Sequence, residues 1–564
     1  MKEKITKPII YQLFPRWMTN SRDKNVPNGT MEQNGVGKFN EINETVLKGI
    51  KDLGITHVWY TGVIEHASKT AHAGIKPSSP AIVKGNAGSP YAIRDYYDVD
   101  PDLVEHIGQR MEEFEALVKR THEAGMKVII DFVPNHVARE YQSDAKPHGV
   151  SDLGDGDQTG MFFEPNNNFY YITGQPFAPQ GIDLGGYREF PAKATGNDGF
   201  HASPSASDWY ETVKLNYGID PWNGSKHFHP IPDTWKKMLN ILLFWASKGI
   251  DGFRCDMAHM VPVAFWHWAI AEVKTAYPGL QFIAEIYDTE LYWSYIYDGG
   301  FDYLYDKVTL YDTLCNILVG KQAAADITNC WKAVDGIREH MLNFLENHDE
   351  PRIASRVKAG NAASVFPALV VSATLSTGPF MIYAGQELGE KAEGAMGFSG
   401  DDGRTSIFDY CSVPTIRRWY NGGKCNLQRL TAEEKTLRKQ YRQVLRLCNH
   451  EPAIARGKMF DLMYVNGSNV DPQKHYIYLR ACGDQALLIG ANFDGKPCTI
   501  DIHLPQHAFD FLELKSGPCR LLNLLDGEAH TAYLSPSRKL RIDIKAHDAV
   551  ILSIEYLNEQ KVEK

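Results

Sequence analysis

The segment Gly252-Phe253-Arg254-Cys255-Asp256 is a short apolar run that ends in an aspartate, and it follows a helix-like stretch at residues 233–248. Gly249 closes that stretch, since a glycine just past a helix supplies the left-handed residue that turns the chain back. The same unit of helix, glycine and apolar strand occurs twice upstream, at residues 43–60 and 111–133. Helices alternating with nearly continuous apolar strands predict a parallel sheet covered on both faces.

The chain contains eight such apolar runs, which predict eight parallel strands. They lie at residues 9–14, 55–60, 127–133, 252–256, 282–285, 301–305, 341–345 and 379–383. Eight strands alternating with helices are typical of a (β/α)₈ TIM barrel, an α/β fold. An open doubly wound sheet would need a glycine-rich phosphate loop after its first strand. Pro15-Arg16-Trp17 occupies that position, so the barrel is favoured.

Two further regions depart from the barrel pattern. The residues after the third strand are rich in Gly, Asp, Asn and Pro and form too long a stretch for an unstructured loop, so they predict an inserted domain over the carboxyl end of the barrel. From residue 451 onward, short strands separated by turn residues predict an antiparallel β-sandwich. The predicted domains are a catalytic barrel at 1–136 and 212–450, an inserted domain at 137–211 and the sandwich at 451–564.

Composition excludes several classes of function. The chain has 564 residues and a formal net charge of −10, which argues against nucleic acid as a partner. It has no apolar stretch that predicts a membrane span and no signal-like core before the first strand, so we expect a cytoplasmic protein, with a secreted protein trimmed of its signal as the alternative. Its nine cysteines form no CxxC pairs, which argues against a disulfide framework and a zinc site.

Three acidic residues close apolar runs: Asp256, Glu285 and Asp349. The carboxyl ends of barrel strands are where active sites lie, and cleavage of a glycosidic bond needs a nucleophile, a proton donor and a charge stabiliser. A lone acidic residue after an apolar run is more often a helix N-cap. Arg254, however, lies two residues before Asp256 on the same face of the strand, where it can hold that carboxylate ionised and oriented. The pattern predicts a glycosidase.

At these residues the chain resembles the α-amylase family of glycoside hydrolases, over essentially its whole length. The matching motifs are residues 131–136 after the third strand, 252–259 at the fourth, Glu285 at the fifth and 347–349 after the seventh, with lesser matches at 11–15, 89–97 and 378–387. The resemblance implies that Asp256 is the nucleophile, Glu285 the acid/base and Asp349 the stabiliser of a double displacement. It implies substrate-binding roles for Arg254, His136, His348, Tyr91 and His259.

The resemblance also concerns metals. Asn135 resembles the residue that ligates a structural Ca²⁺ in many members of the family, so a calcium site is expected there, whereas no cofactor is needed for the chemistry. Two positions depart from the family pattern. Gly62 replaces the usual proline after the second strand, and His259-Met260 stands where many members have a Lys-His pair.

The first hypothesis is therefore hydrolysis of α-1,4-glucosidic bonds in starch, glycogen or maltodextrin, with an α-glucan oligo- or polysaccharide as the partner. An α-glucan glucosyltransferase or an α-glucosidase with the same site is the alternative, because water and a sugar hydroxyl can intercept the same intermediate. A third hypothesis is a catalytically inactive glucan-binding or subunit module. The intact set of Asp256, Glu285, Asp349 and Arg254 argues against it. The sequence leaves the oligomeric state open.

Overall fold

The computed structural model describes residues 7–557, and its centre is a closed barrel of eight parallel strands. In chain order the strands are β1 Ile9–Leu13, β2 His57–Tyr60, β3 Lys127–Phe132, β4 Gly252–Cys255, β5 Gln281–Ala284, β6 Tyr303–Tyr305, β7 Met341–Phe344 and β8 Phe380–Tyr383. Each strand pairs with the next, and β8 closes the barrel against β1, with Ile9 opposite Phe380. The predicted barrel is confirmed, and each strand lies within two residues of its predicted bounds.

Helices cover the outside of the barrel. The main ones are Glu44–Lys51, Arg110–Glu123, Asp233–Ser247, Val263–Ala276, Asp312–Leu318, Ile327–Ala333, Phe366–Thr374, Pro414–Tyr420 and Ala432–His450. Asp233–Ser247 shows why such segments become helices, because its apolar residues recur every three or four positions on one face. That buried face includes Met238, Ile241, Leu242 and Trp245. Gly249, with φ of +84°, then turns the chain into β4.

The long stretch between β3 and the helix before β4 has its own strands. His136–Ala138 pairs antiparallel with Thr212–Lys214, and Tyr171–Ile172 pairs with Ala192–Lys193. A small hydrophobic cluster, separate from the main core, joins Ile172, Phe177, Ala192, Ala202 and Tyr210 of this stretch to Ile82, which lies between β2 and β3. Because the stretch starts directly after β3, it lies at the carboxyl end of the barrel, where the candidate carboxylates also lie.

The C-terminal part is antiparallel, as predicted. Its six-stranded sheet runs in the order Lys458–Asp461, His475–Cys482, Gln485–Asn492, Asp548–Tyr556, Gly517–Asn523 and Ala529–Leu534, and a second sheet pairs Cys498–Ile502 with Leu540–Ile544. The two sheets face each other, since a Cβ added at Gly490 would lie 2.9 Å from the Ile544 side chain. The domain boundaries drawn from the sequence remain predictions.

The helix Phe366–Thr374 connects the barrel with the C-terminal sheets. All nine of its residues are buried, because it packs against β7 on one side and against strands Gln485–Asn492 and Asp548–Tyr556 on the other. A helix that is apolar on every face must be covered on every face. Among the described residues, no helix has the length and apolar character needed to cross a membrane.

Candidate active site

Asp256 and Glu285 are placed by the ends of two neighbouring strands. Each lies one residue beyond its strand, and the backbone hydrogen bonding of the barrel continues to both: Asp256 N–H donates to Phe132 O at 2.9 Å, and Glu285 N–H donates to Cys255 O at 3.1 Å. The two residues are only 6% and 2% exposed. The backbone therefore fixes both carboxyl groups at the carboxyl end of the barrel, as the sequence predicted.

Arg254 lies at the centre of this group. Its Nη1 is 2.8 Å from Asp256 Oδ1 and its Nη2 is 2.8 Å from Glu285 Oε2, so one guanidinium bridges the two carboxyl groups. Nη1 is also 3.4 Å from Oδ1 of Asp131, and Nε donates to the Tyr305 hydroxyl at 3.2 Å. The fork geometry of arginine suits such multiple recognition.

The charge balance of the site differs from the simple picture of one arginine and one aspartate. Burial raises the pKa of Asp256 well above its usual range, the charge of Glu285 adds to this, and Arg254 opposes both only in part. Burial likewise raises the pKa of Asp131 to about 6 against the charge of Arg254. Because one guanidinium serves three carboxyl groups, a proton retained within the group lowers its electrostatic energy.

Asp349 lies at the opening of the site. Its backbone N–H and that of Glu350 donate to Asn347 Oδ1 at 2.9 and 3.0 Å, which fixes the turn after β7. Its side chain is 42% exposed, unlike the other two carboxylates, so it remains reachable from solvent. The surrounding protein and then the charge of Glu285 raise the pKa of Asp349 to about 7.

His348 links Asp349 to the barrel strands. Its Nδ1 is 2.8 Å from the Gln12 Nε2 amide of β1, an arrangement in which the ring carries its hydrogen on Nε2. Nε2 then faces the Tyr91 hydroxyl at 2.6 Å and Asp349 Oδ2 at 3.0 Å. Burial, and then Arg254, lower the pKa of His348 well below its usual value. The histidine is therefore a neutral donor.

The predicted ring of Tyr91 lies in the same group. It stacks on the His348 ring at 5.1 Å, and its hydroxyl donates to Asp131 Oδ1 at 3.3 Å. His136 lies close to the backbone of Tyr91, and its Nδ1 is 3.1 Å from Nδ2 of Asn135. Burial lowers the pKa of His136 to about 3. The ring of His259 lies farther out, 6.4 Å from that of Tyr287, with a buried Nδ1 that has no partner among the described residues.

Asp131 and Tyr287 also belong to the site, although neither was among the candidate residues predicted from the sequence. Asp131 accepts hydrogen bonds from Trp59 Nε1 at 3.0 Å and from the Gly62 N–H at 3.3 Å, both contributed by or just after β2. The departure at Gly62 thus has a structural reason, because a proline there would have no N–H to donate. Tyr287 is the second residue: its hydroxyl donates to Glu285 Oε1 at 2.5 Å. The only sequence signal was its position two residues after the acid.

The backbone after Asp256 is also unusual. Met257 adopts a left-handed conformation with φ of +42°, which is rare for a residue with a side chain. In this conformation its N–H donates to Glu285 Oε2 at 2.9 Å. The turn that carries the predicted nucleophile therefore also orients the predicted acid.

The residues around Asn135 do not fit the calcium ion that the resemblance implies. The buried ammonium group of Lys214 donates to Asn135 Oδ1 in a short hydrogen bond, lies 2.8 Å from Asp198 Oδ1 and is 3.3 Å from Met260 O. The oxygen atoms that could bind a divalent ion are thus already gathered around a positive charge. The expected metal role of Asn135 is not supported by this geometry.

A second group of acidic residues lies away from the site. One ligand atom each of Glu65, Asp95, Asp98 and Asp144 lies within 4.8 Å of the others, which is compatible with a cation site. Arg110 already forms ion pairs with Asp98 and, at 3.6 Å, with Asp144. Burial raises the pKa of Glu65 to about 8, and Asp95 adds to the shift, so a proton offers a second way to reduce the repulsion.

Comparison with known proteins agrees with this architecture. The family model described as alpha amylase, catalytic domain, matches residues 12–183 and 229–406, which is more than half of the chain. An intracellular maltogenic amylase of Bacillus subtilis is 23% identical over 403 residues, covering 69% of this chain and 57% of that protein. Neopullulanase 2 of Thermoactinomyces vulgaris is 22% identical over 511 residues, covering 88% of this chain and 71% of that protein.

Solved structures show the same fold. A maltogenic alpha-amylase from Thermotoga neapolitana superposes with a TM-score of 0.64 at 22% identity, covering 99% of this chain and all of that one. An alpha-amylase from Geobacillus thermoleovorans, complexed with acarbose, also gives a TM-score of 0.64 at 18% identity, with coverage of 99% and 100%. At these sequence identities the superpositions show only that the fold is shared.

Proposed function

Because the chain belongs to the α-amylase family, we propose that it is a retaining glycoside hydrolase that cleaves α-1,4-glucosidic bonds of starch, glycogen or maltodextrins. The observation that carries this proposal is the fork of Arg254, whose two nitrogens lie 2.8 Å from Asp256 and 2.8 Å from Glu285. Two carboxyl groups held on one guanidinium are close neighbours. Retaining enzymes keep their pair about 5–5.5 Å apart, near enough for one to attack the sugar directly.

In the first step Asp256 attacks the anomeric carbon and forms an ester with it. The bond to the leaving oxygen breaks with its electron pair on that oxygen, which takes the proton of Glu285. In the second step Glu285 accepts a proton from water, the hydroxide adds to the same carbon, and Asp256 leaves as a carboxylate. Two inversions restore the starting configuration.

The charged form of Asp256 is needed for attack, although burial raises its pKa. Arg254 resolves this conflict, because it can stabilise negative charge on either carboxyl group from one position. As the acid gives up its proton, the guanidinium remains in contact with both groups. A site that stabilises the charge before and after transfer needs no reorganisation during the step.

Neutral donors surround the place where the sugar would bind. We assign His348 and His136 to sugar hydroxyls, since their lowered pKa values keep them uncharged at neutral pH. Asp349, exposed at the opening, would accept hydroxyl hydrogens and favour distortion of the ring. Tyr91 is 9% exposed and has one ring face against His348, so only its remaining edge and face could contact a sugar. His259 would contact the leaving-group side.

The relatives support an α-glucan as the substrate class, since they are named maltogenic amylase and neopullulanase. The matched segment spans only 57% of the maltogenic amylase. The activity of that whole protein is therefore not assigned to this chain. That relative is intracellular by name, which supports a cytoplasmic location for this chain as well.

The proposal is tested by incubating the protein with maltooligosaccharides, pullulan and panose and separating the products by size. Proton NMR of early products should show the α anomer. Asp256→Asn should fold like the parent and lose several powers of ten in rate, because the covalent nucleophile is removed. Asp484→Asn, at a fully exposed position, is the matched control. Unchanged hydrolysis by Asp256→Asn, or a β product, would refute the mechanism; products longer than the substrate would indicate glucan transfer.

A further inference from the structure

We propose that Tyr287 is a positioning residue for the proton of Glu285 and that it keeps this proton on Oε1 of the carboxyl group. The inference rests on the function proposed above and concerns how its acid works. Tyr287 is half-buried on the loop that follows β5, and its hydroxyl lies 2.5 Å from Glu285 Oε1. The carboxyl group of Glu285 thus has a hydroxyl partner that lies outside the sequence motifs described above.

The two oxygens of Glu285 have different surroundings. Oε2 is 2.9 Å from the Met257 N–H and 2.8 Å from Arg254 Nη2. Both of these groups can only donate, so a proton on Oε2 would point at other donors. Oε1 faces the Tyr287 hydroxyl, which can donate or accept. The proton therefore belongs on Oε1.

A hydroxyl partner suits both states of the acid. While Glu285 holds its proton, Oε1–H can donate to the phenol oxygen of Tyr287. When the glycosidic bond breaks, this proton moves to the leaving oxygen, which keeps the electron pair of the broken bond, and Glu285 becomes a carboxylate. The Tyr287 hydroxyl then turns and donates to Oε1. In the second step the carboxylate takes a proton from the attacking water, and the phenol returns to its first orientation.

Tyr287 remains protonated throughout. Burial raises the pKa of its hydroxyl well above the ordinary value, and the charge of Glu285 adds to the shift. The charged and titratable groups that face Glu285 and Tyr287 are Arg254, Asp256, Tyr305, Asp349, His259 and Lys307. None of these groups forms a hydrogen bond with Glu285 Oε1. Among the described residues, the hydroxyl of Tyr287 is the hydrogen-bond partner of this oxygen.

The test compares the parent enzyme with Tyr287→Phe on two substrates, maltotriose and 4-nitrophenyl α-maltoside, over a range of pH. The aryl leaving group needs little help from an acid. Phenylalanine keeps the ring, and Tyr476→Phe is the control, because it removes a tyrosine–carboxylate hydrogen bond of 2.9 Å, to Asp461, in the C-terminal sheet. Circular dichroism checks that each variant is folded.

For Tyr287→Phe we expect kcat/KM on maltotriose to fall about ten-fold, with a change of less than about two-fold on the aryl glycoside. The alkaline limb of the maltotriose profile should move up by about one pH unit, because the carboxylate has lost a donor. The control should show neither effect.

Equal losses on both substrates with an unmoved alkaline limb would overturn the inference, since a merely structural tyrosine behaves in that way. If the parent is active and Tyr287→Phe matches it on both substrates, the inference about Tyr287 is wrong, but the proposed function stands. A parent inactive on both substrates would overturn the proposed function, and this inference with it.

Discussion

The ammonium group of Lys214 offers the sharpest test of the packing around the inserted stretch. Lys214→Met keeps a flexible, unbranched side chain of similar reach but removes the charge and all three donors. Asn135 Oδ1 and Asp198 Oδ1, the latter 2.8 Å from the ammonium, then lose their partner. Removing one member of a fully buried ion pair costs about 3–5 kcal/mol.

The cost here should be smaller. The Asp198 side chain is 48% exposed, so water can replace the lysine there. Burial lowers the pKa of Lys214, which means that burying the charged ammonium group costs free energy. The variant has no charge there and avoids this cost. What remains is the fully buried Asn135 side chain without its donor, a penalty of about 1–3 kcal/mol. We therefore expect a loss of about 2 kcal/mol and a lower unfolding midpoint.

Differential scanning fluorimetry measures this midpoint. Lys48→Met is the control, because the ion pair of Lys48 with Glu44 is on the surface, and it should leave the midpoint unchanged. Millimolar Ca²⁺ should restore part of the loss in Lys214→Met only, since the released oxygens are of the kind that calcium prefers. A Lys214→Met midpoint equal to that of the parent would refute the idea that the ammonium holds this junction.

Three further predictions concern other parts of the molecule. The pKa of Glu65 is about 8 in the folded state against 4.5 as its usual value, so the folded state holds the extra proton and stability should fall as pH rises from 4.5 to 8. Urea titrations at pH 5 and pH 8 should show a smaller loss of unfolding free energy in Glu65→Gln than in the parent. An equal loss in both proteins would contradict this prediction. His259→Ala should weaken the binding of maltooligosaccharides by about 0.5–1.5 kcal/mol, which raises KM, and should shift the product sizes. A loss of thermal stability alone would instead mean that His259 has a packing role. Truncation after residue 450 should cause aggregation, seen by light scattering, because it uncovers the buried helix Phe366–Thr374; a stable monomer would contradict this.

Much of the barrel could be predicted because its signals are local. A strand buried on both faces needs a continuous apolar run, and the turn before it needs a glycine, as at Gly249 with its positive φ. The alternation of side chains along a strand is equally local, so Arg254 and Asp256 could be placed on one face, and they meet at 2.8 Å.

The features that could not be predicted depend on residues distant in sequence. Lys214 reaches Asn135 across 79 positions, and no pattern near either residue indicates the contact. Two of the donors to Asp131 are Trp59 of β2 and Gly62, which lies just after β2, about seventy residues earlier in the chain. The protonation of Asp256 depends on a sum of burial and several charges, so the motif alone could name the residue but not its pKa.

The helix Phe366–Thr374 also bears on how the chain is made. It leaves the ribosome well before strands Gln485–Asn492 and Asp548–Tyr556, which cover one of its sides. Synthesis at about 5–20 residues per second leaves that surface bare for on the order of ten seconds or more. That side of the helix stays uncovered until the last strand has been translated. We therefore expect the nascent chain to expose this apolar surface during synthesis, and slow codons after residue 374 would lengthen that exposure.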